Sequence, residues 1–308
     1  MSVHRLPSRA AQLLAELREL IQVHEAQGRP ADAVLQFAVV TAPTAPVSSI
    51  AEPTLAVVAQ GMKRLAIGEE VYDYGPGEYV VVTVDLPVTG FFSDASRDEP
   101  FLGVGLRLRP DVIASLLVEG DLSRAHARAL AGVGVATASV ELLDAVVRMA
   151  RLLGKPGDLQ VLQPLVEREI LWRLLNGEHG DRVRQIGLAD SSLSHIGRAV
   201  SWIRSHYAEP FRVEDLADQA GLSVSAFHRQ FRAVTMMTPI QFQKKIRLQQ
   251  ARLLLVSRAE NVTGAGYAVG YDSPSQFSRE YRREFGLAPG QDAFKLRAEA
   301  ELLPAMIP

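Results

Sequence analysis

The chain has no cysteine among its 308 residues. That excludes disulfide staples, thiolate nucleophiles and cysteine-ligated zinc. Histidine is scarce and unevenly placed. The seven are His4, His24, His126, His179, His195, His206 and His228, so Glu25 to Ala125 holds none. A histidine-ligated metal in that stretch is therefore not expected, and no other cofactor is indicated. Long apolar runs are missing too: no stretch approaches the ~20 residues that span a bilayer. Arg5, Arg9, Glu16, Arg18 and Glu19 interrupt the first twenty residues, unlike a secretory leader. The expectation is a cytoplasmic protein with no membrane partner.

Net charge is only −2, but its distribution is uneven. From His195 to Arg297 there are 15 Lys/Arg against 9 Asp/Glu; the remainder holds 18 against 26. A basic C-terminal third on an acidic remainder implies that one end alone meets a polyanion.

Local patterning divides the chain further. Leu6 to Gln27 carries helical spacing through Leu13, Leu14, Leu17, Leu20 and Ile21, and Gly28-Arg29-Pro30 stops it. From Val34 to Leu108, short apolar runs (Val34–Val40, Thr54–Ala59, Glu78–Val84, Phe101–Leu108) alternate with turn material at Gly68-Glu69, Gly75-Pro76-Gly77 and Pro87-Val88-Thr89-Gly90. Such spacing predicts an antiparallel barrel or sandwich. Helical patterning returns over Asp111–Val118, in a stripe of Val140, Leu143, Val147 and Ala150, and over Leu159–Leu175. The stripe suits packing on its own domain or a dimer seam. Asn176 to Asp190 is polar and contains glycine, the composition of a linker.

The last third reads one pattern twice. Leu216-Ala217-Asp218-Gln219-Ala220-Gly221-Leu222-Ser223 leads to Phe227-His228-Arg229-Gln230-Phe231; Ala265-Gly266-Tyr267-Ala268-Val269-Gly270-Tyr271 leads to Phe277-Ser278-Arg279-Glu280-Tyr281. Phe227 and Phe277, Arg229 and Arg279, Phe231 and Tyr281, Pro239 and Pro289 each differ by 50 in number. A glycine ends a short helix where a positive φ costs little, and a serine (Ser223, Ser273) caps the next. Aromatic side chains four apart face inward. That leaves Ser225, His228, Arg229 and Arg232 outward in the first unit. In the second, Ser275, Gln276, Ser278, Arg279, Arg282 and Arg283 are outward. This is a duplicated helix–turn–helix, a device for reading duplex DNA. Arginine suits guanine or phosphate and glutamine suits adenine. Between the units, Thr238-Pro239 opens a helix to about Val256, whose Lys244, Lys245 and Arg247 are expected at phosphates.

Here the chain resembles the AraC/XylS family of bacterial transcription regulators, over roughly Ile196 to Arg297 and most specifically over Val269 to Gly286. Gln60-Gly61-Met62-Lys63-Arg64, Tyr72-Asp73-Tyr74 and Val84 to Gly90 resemble an N-terminal domain of one branch of that family. The resemblance implies an α+β chain: a cupin-like barrel with flanking helices that senses a small molecule and forms a homodimer, then an all-α double helix–turn–helix domain. It divides the chain into 1–178 (sensing and dimerisation), 179–194 (linker) and 195–298 (DNA binding), with helix–turn–helix units at about 213–234 and 262–285. It also implies contacts with double-stranded promoter DNA from Ser225, His228, Arg229, Ser275, Gln276, Ser278 and Arg279. Activation is the expected sign of regulation, though the sequence itself does not identify it. The chain departs from the family pattern at Ala265-Gly266, where a bulky aliphatic residue usually precedes the small one. The second unit is therefore expected to open more readily than the first.

Other readings are weaker. Glu69, Glu70 and Asp73 read as a solvated hairpin turn rather than a carboxylate site. Lys63 and Arg64 read as exposed strand charges in preference to partners for an anionic effector. Tyr72, Tyr74, Tyr79, Phe91 and Phe92 suit an effector pocket or ordinary packing. No catalytic constellation is present, so an enzyme is not expected. An enzymatic barrel carrying a DNA-binding appendage, and a constitutive DNA binder without an effector, stand as the alternatives.

Overall fold

The computed structural model describes residues 8–26, 34–122, 129–189, 191–257 and 261–300, the last three without their side chains. Leu6 and Gln27, at the ends of the first expected helix, lie outside this set, as do His4 and His126. The helix itself, α1, runs Ser8–Ala26 and buries Leu13, Leu14, Leu17 and Ile21.

Among the described residues, nine strands follow in two antiparallel sheets. They are β1 (Leu35–Val40), β2 (Val47–Ala51), β3 (Thr54–Gln60), β4 (Lys63–Ile67), β5 (Glu70–Tyr74), β6 (Glu78–Val82), β7 (Leu86–Phe91), β8 (Phe101–Arg107) and β9 (Val133–Thr137). One sheet has the order β1-β8-β3-β6-β9, the other β2-β7-β4-β5. The helices α2 (Pro110–Glu119), α3 (Val140–Leu152) and α4 (Pro156–Leu175) complete this part.

The five-stranded sheet is buried on both faces, which explains its nearly continuous apolar strands. Leu35, Phe37, Leu55, Val57, Leu102, Val104 and Leu106 share one core with α1, α3 and α4. The alternate residues Val40, Val58, Val80 and Val82 face the four-stranded sheet. In α3, Leu142, Leu143, Val146, Val147, Met149 and Ala150 are all buried in the first core. The Val140–Ala150 stripe is thus taken up within its own domain.

Two stretches differ from their sequence patterning. Pro87-Val88-Thr89-Gly90 lies inside β7 rather than in a turn. Its pairing with β4 begins only at Thr89, so Pro87 has a strand neighbour on one flank and its missing N–H costs little. The polar stretch from Asn176 contains a helix, α5 (Gly180–Gly187). Val183 reaches the first core, and Gly187 lies so close to α2 that a Cβ would stand 2.8 Å from the Ala114 amide nitrogen. Glycine signalled close packing there, not slack chain.

The C-terminal part is all helix: α6 (Ser192–Ser205), α7 (Val213–Gln219), α8 (Val224–Thr235), α9 (Pro239–Val256), α10 (Val262–Ala268), α11 (Pro274–Phe285) and α12 (Pro289–Ala300). The pairs α7–α8 and α10–α11 are the two helix–turn–helix units. Gly221 and Gly270 turn them with φ of +67° and +86°. At Gly270 a Cβ would meet the Ala208 carbonyl oxygen at 2.0 Å, so no other residue fits there. Ser223 and Ser273 accept hydrogen bonds from the Ala226 and Gln276 amides, and Thr238 and Gln241 form a capping box on α9. Caps of this kind contribute about 1 kcal/mol each.

Candidate nucleic-acid interface

The repeat preserves the outward face position by position. Ser225, His228, Arg229 and Arg232 stand at i, i+3, i+4 and i+7 on α8, one face of the helix, and all are exposed. Ser275, Ser278, Arg279 and Arg282 occupy the same places on α11, fifty residues on; Ser278 is partly buried and the other three are exposed. Gln276 and Arg283 widen the second face. Opposite them, Phe227 and Phe231 stack into one core with Phe242 of α9, and Phe277 and Tyr281 into another with Tyr271.

Among the described residues, the side chains of His228, Arg229, Arg232, Arg279 and Arg282 have no hydrogen-bond or ion-pair partner. Gln276 makes one long contact, 3.4 Å from its Nε2 to Glu280. Arginines left unpaired on a presented helix face are available to bases and phosphates.

The cations of α9 have different tasks. Lys244 pairs with Glu280 at 3.0 Å and Lys245 with Glu284 at 2.6 Å, so both ammonium groups bind α9 to α11. Arg247, expected at phosphate, donates instead to four main-chain oxygens: Tyr207 (2.6 Å), Ala208 (3.1 Å), Glu209 (3.2 Å) and Gly270 (2.8 Å). Gln243 donates to two of the same carbonyls, Tyr207 and Glu209. One helix thus fixes the loop before the first unit and the turn of the second. At 18 residues it is about 27 Å long. Pattern alone did not separate Arg247 from the neighbouring lysines, since its partners are carbonyls that carry no sequence signal.

A polar network stiffens the second unit. Glu280 accepts from the Tyr271 hydroxyl (2.9 Å) as well as from Lys244. Burial opposes its charge, but the hydrogen bonds from Lys244, Tyr271 and Gln276 win and hold its carboxyl below the usual range. Burial, and then the Glu280 carboxylate, push the Tyr271 hydroxyl well up. Arg252 forks onto buried Asp292 at 2.8 and 2.9 Å, and the Tyr281 hydroxyl donates to the same carboxylate.

The two-sheet unit docks on the first reader. The Gly132 amide donates to the Val234 carbonyl at the end of α8 (2.8 Å), and the Gln249 side chain to the Ser49 carbonyl (3.0 Å). Arg204 of α6 pairs with Asp85 and lies 4.0 Å from Glu52. A single apolar core runs through both, from Tyr74 and Val80 to Phe227 and Phe242. The second reader has a separate core of its own, including Leu248, Leu255, Phe277 and Tyr281.

The remaining expectations fall out as follows. Arg64 is exposed, forks onto Asp73 and covers Phe91; with Glu69 and Glu70 also exposed, the β4–β5 hairpin is solvated. Lys63 does not share that exposure: it is partly buried, over Phe92, and lines a cavity between the sheets. Among the described residues no group of three or more histidines and carboxylates is placed to hold a metal ion, and no helix is long and apolar enough to cross a membrane.

Residues 33–182 match the family model described as the AraC-type transcriptional regulator N-terminus, and residues 216–293 match a helix-turn-helix domain. The HTH-type transcriptional activator RhaS of Escherichia coli is 33% identical over 110 residues, 34% of this chain and 40% of RhaS. RhaS of Escherichia fergusonii is 35% identical over 109 residues, 34% of this chain and 38% of that protein. The matched stretch is thus well under half the length of these relatives. Among solved structures, wild-type ToxT of Vibrio cholerae with a bound unsaturated fatty acid superposes with a TM-score of 0.52 at 11% identity, over 87% of this chain and 97% of ToxT. At that identity the likeness is one of fold.

Proposed function

We propose, from the premise that this chain belongs to the AraC/XylS family of transcriptional regulators, that it places α8 and α11 in successive major-groove segments of a promoter. One observation carries this reading: two helix faces in the same fifty-residue register, each presenting unpaired arginines. The strut between them is suited to readers about one duplex turn, ~34 Å, apart. Base edges met by Arg229, His228, Gln276 and Arg279 supply specificity; Arg232, Arg282 and the serines serve the backbone. Lys244 and Lys245 reach phosphate only by relaxing their pairs with Glu280 and Glu284.

The domain carrying the sheets is the sensor in this reading, a cupin-like unit covering 1–178, and 195–298 is the DNA-binding unit. Its docking on α6, α8 and α9 supports a ligand-responsive activator over a constitutive binder, because an occupant of the sheets has a direct path to the first reader. The homodimer forms through α4. Val161 and Leu165 there are 68% and 61% exposed and stand four apart, with Trp172 seven further on. The protein acts in the cytoplasm and turns over no substrate.

Selection from random duplex DNA with the full-length chain tests the core of this. Enrichment of two short conserved segments about one helical turn apart is expected. No enrichment at low salt, where phosphate contacts are strongest, overturns it. Sedimentation of Leu165→Lys against the wild type tests the dimer separately: the wild type runs as a dimer and the variant as a monomer.

A further inference from the structure

The cavity between the two sheets, about 80 Å³, has a floor of small residues. Ala38 lies beside Gly103 and Ala56 beside Gly105 in adjacent strands; the Phe101 ring covers Gly103, where a Cβ would stand 3.2 Å from it, so the open floor is the Ala56–Gly105 end. At Gly105 a Cβ would meet nothing nearer than the Thr54 hydroxyl, at 3.9 Å. Such a cavity takes on the order of five to eight water-sized volumes, at ~10–15 Å³ each. A ligand of about six to nine heavy atoms fits that space.

Charge defines the class. Three charged side chains line the cavity: Lys63, Glu52 and Arg107. Glu52 and Arg107 neutralise each other across 2.6 Å. The Lys63 ammonium has no hydrogen-bond or ion-pair partner among the described residues and rests over the Phe92 ring, 5.4 Å from its centroid. Burial without an anion lowers its ammonium to about pKa 8. The cavity therefore carries one positive charge that no side chain among the described residues compensates.

Resting on the reading of this unit as a sensor, we propose that the cavity binds a small monocarboxylate with a compact apolar body, its carboxylate on Lys63 and its body on the Ala56–Gly105 floor beside the Phe101 ring. The same occupant sits beside Glu52, whose carboxylate Arg107 holds and Arg204 of α6 approaches. Its arrival thus bears on the first helix of the DNA-binding unit.

Calorimetric titration of the full-length chain, without DNA, with cyclohexanecarboxylate and with cyclohexanecarboxamide tests the assignment. Expected is binding of the carboxylate at least tenfold tighter than the amide. Lys63→Met, which removes the charge and keeps an apolar stem, should erase that preference. Gly105→Val, which fills open space without touching Lys63, should weaken both compounds. Equal binding of the two compounds, or an undiminished carboxylate preference in Lys63→Met, overturns the anion while leaving a sensor for neutral effectors. Undiminished binding by Gly105→Val overturns the location. DNA selection is independent of each result.

Discussion

Met236 and Gly286, fifty residues apart, hold the same left-handed conformation at the ends of α8 and α11, with φ of +60° and +78°. Glycine takes that conformation freely, whereas an L side chain costs about 1–2 kcal/mol there. The first unit keeps methionine because the end of α8 is held by the two-sheet unit. Tyr72 donates to the Met236 sulfur at 3.6 Å, and a Cβ on Gly68 would come within 2.7 Å of the Met236 carbonyl oxygen. The duplicated units differ where one of them has a neighbour.

Gly68→Ala should therefore disrupt docking. It places a methyl group against a carbonyl and a side chain at φ +62°, strain on the order of 1–3 kcal/mol. Amide exchange at Gly132, whose N–H bonds the Val234 carbonyl, should speed up in the variant. Met236→Gly should change overall stability by less than about 1 kcal/mol, since backbone relief offsets the lost contact. Unchanged Gly132 exchange in Gly68→Ala would show that this contact does not hold the two parts together.

Arg247→Met should destabilise the DNA-binding unit by about 2–4 kcal/mol, because four carbonyls lose a charged donor. Denaturation midpoints measure this directly. Affinity for a site with both segments should fall more than affinity for either segment alone, as the spacing of the readers loosens. A phosphate contact would give another result: unchanged stability and a salt dependence shallower by about one ion.

The duplicated unit was legible in the sequence because glycine turns, serine caps and aromatic spacing are local and occur twice. The four-stranded sheet was less so. β2 and β5 are short and polar in part, and β7 contains Pro87 and Gly90, residues that normally mark turns. Lys63 and Arg64 are adjacent in sequence, yet strand alternation sends one into the cavity and leaves the other in solvent. Charge alone placed both outside. The clamp of Arg247 depends on tertiary contacts with a loop 38 to 40 residues upstream and a turn 23 downstream, which no spacing rule reveals.

The departure at Ala265-Gly266 has a structural counterpart. A Cβ on Gly266 would sit 3.0 Å from the Phe277 ring, so glycine there allows α10 to press against α11. Gly264 is partly exposed with no positive φ, and its amide is held by the Asn261 cap. Gly264→Ala should stabilise the second unit by up to about 1 kcal/mol, whereas Gly266→Ala should gain less or lose. Hydrogen exchange in wild-type protein should show α10 less protected than α7. Equal protection would mean that packing has made up for both glycines.

Arg229→Ala and Arg279→Ala should each cost about 1–3 kcal/mol of binding and relax preference at one base pair, as loss of a base contact does. Selection repeated with each variant reads this out. The position relaxed by Arg229→Ala should lie in one conserved segment and that relaxed by Arg279→Ala in the other. Loss spread evenly over all sequences would make the two arginines phosphate contacts instead.

Lys63 should leave a mark on stability as pH changes. Its folded pKa is about 8, while an unfolded lysine titrates near 10.4. Between those values the unfolded chain holds the proton more tightly, so raising the pH favours the folded state. The contribution is complete above the unfolded pKa and is lost as pH falls through the folded one. The groups sharing the cavity do not reverse this sign: Glu52 and Arg107 are paired, and burial pushes the Tyr74 hydroxyl well above its usual range, keeping it neutral. Denaturation midpoints of wild type and Lys63→Met, measured from pH 7 to 10, should converge as pH rises, with the variant ahead at neutral pH. A carboxylate ligand should shrink the variant's advantage at neutral pH by stabilising the wild-type ammonium. A constant difference across the range would mean that Lys63 reaches solvent, and would remove the unpaired charge from the cavity.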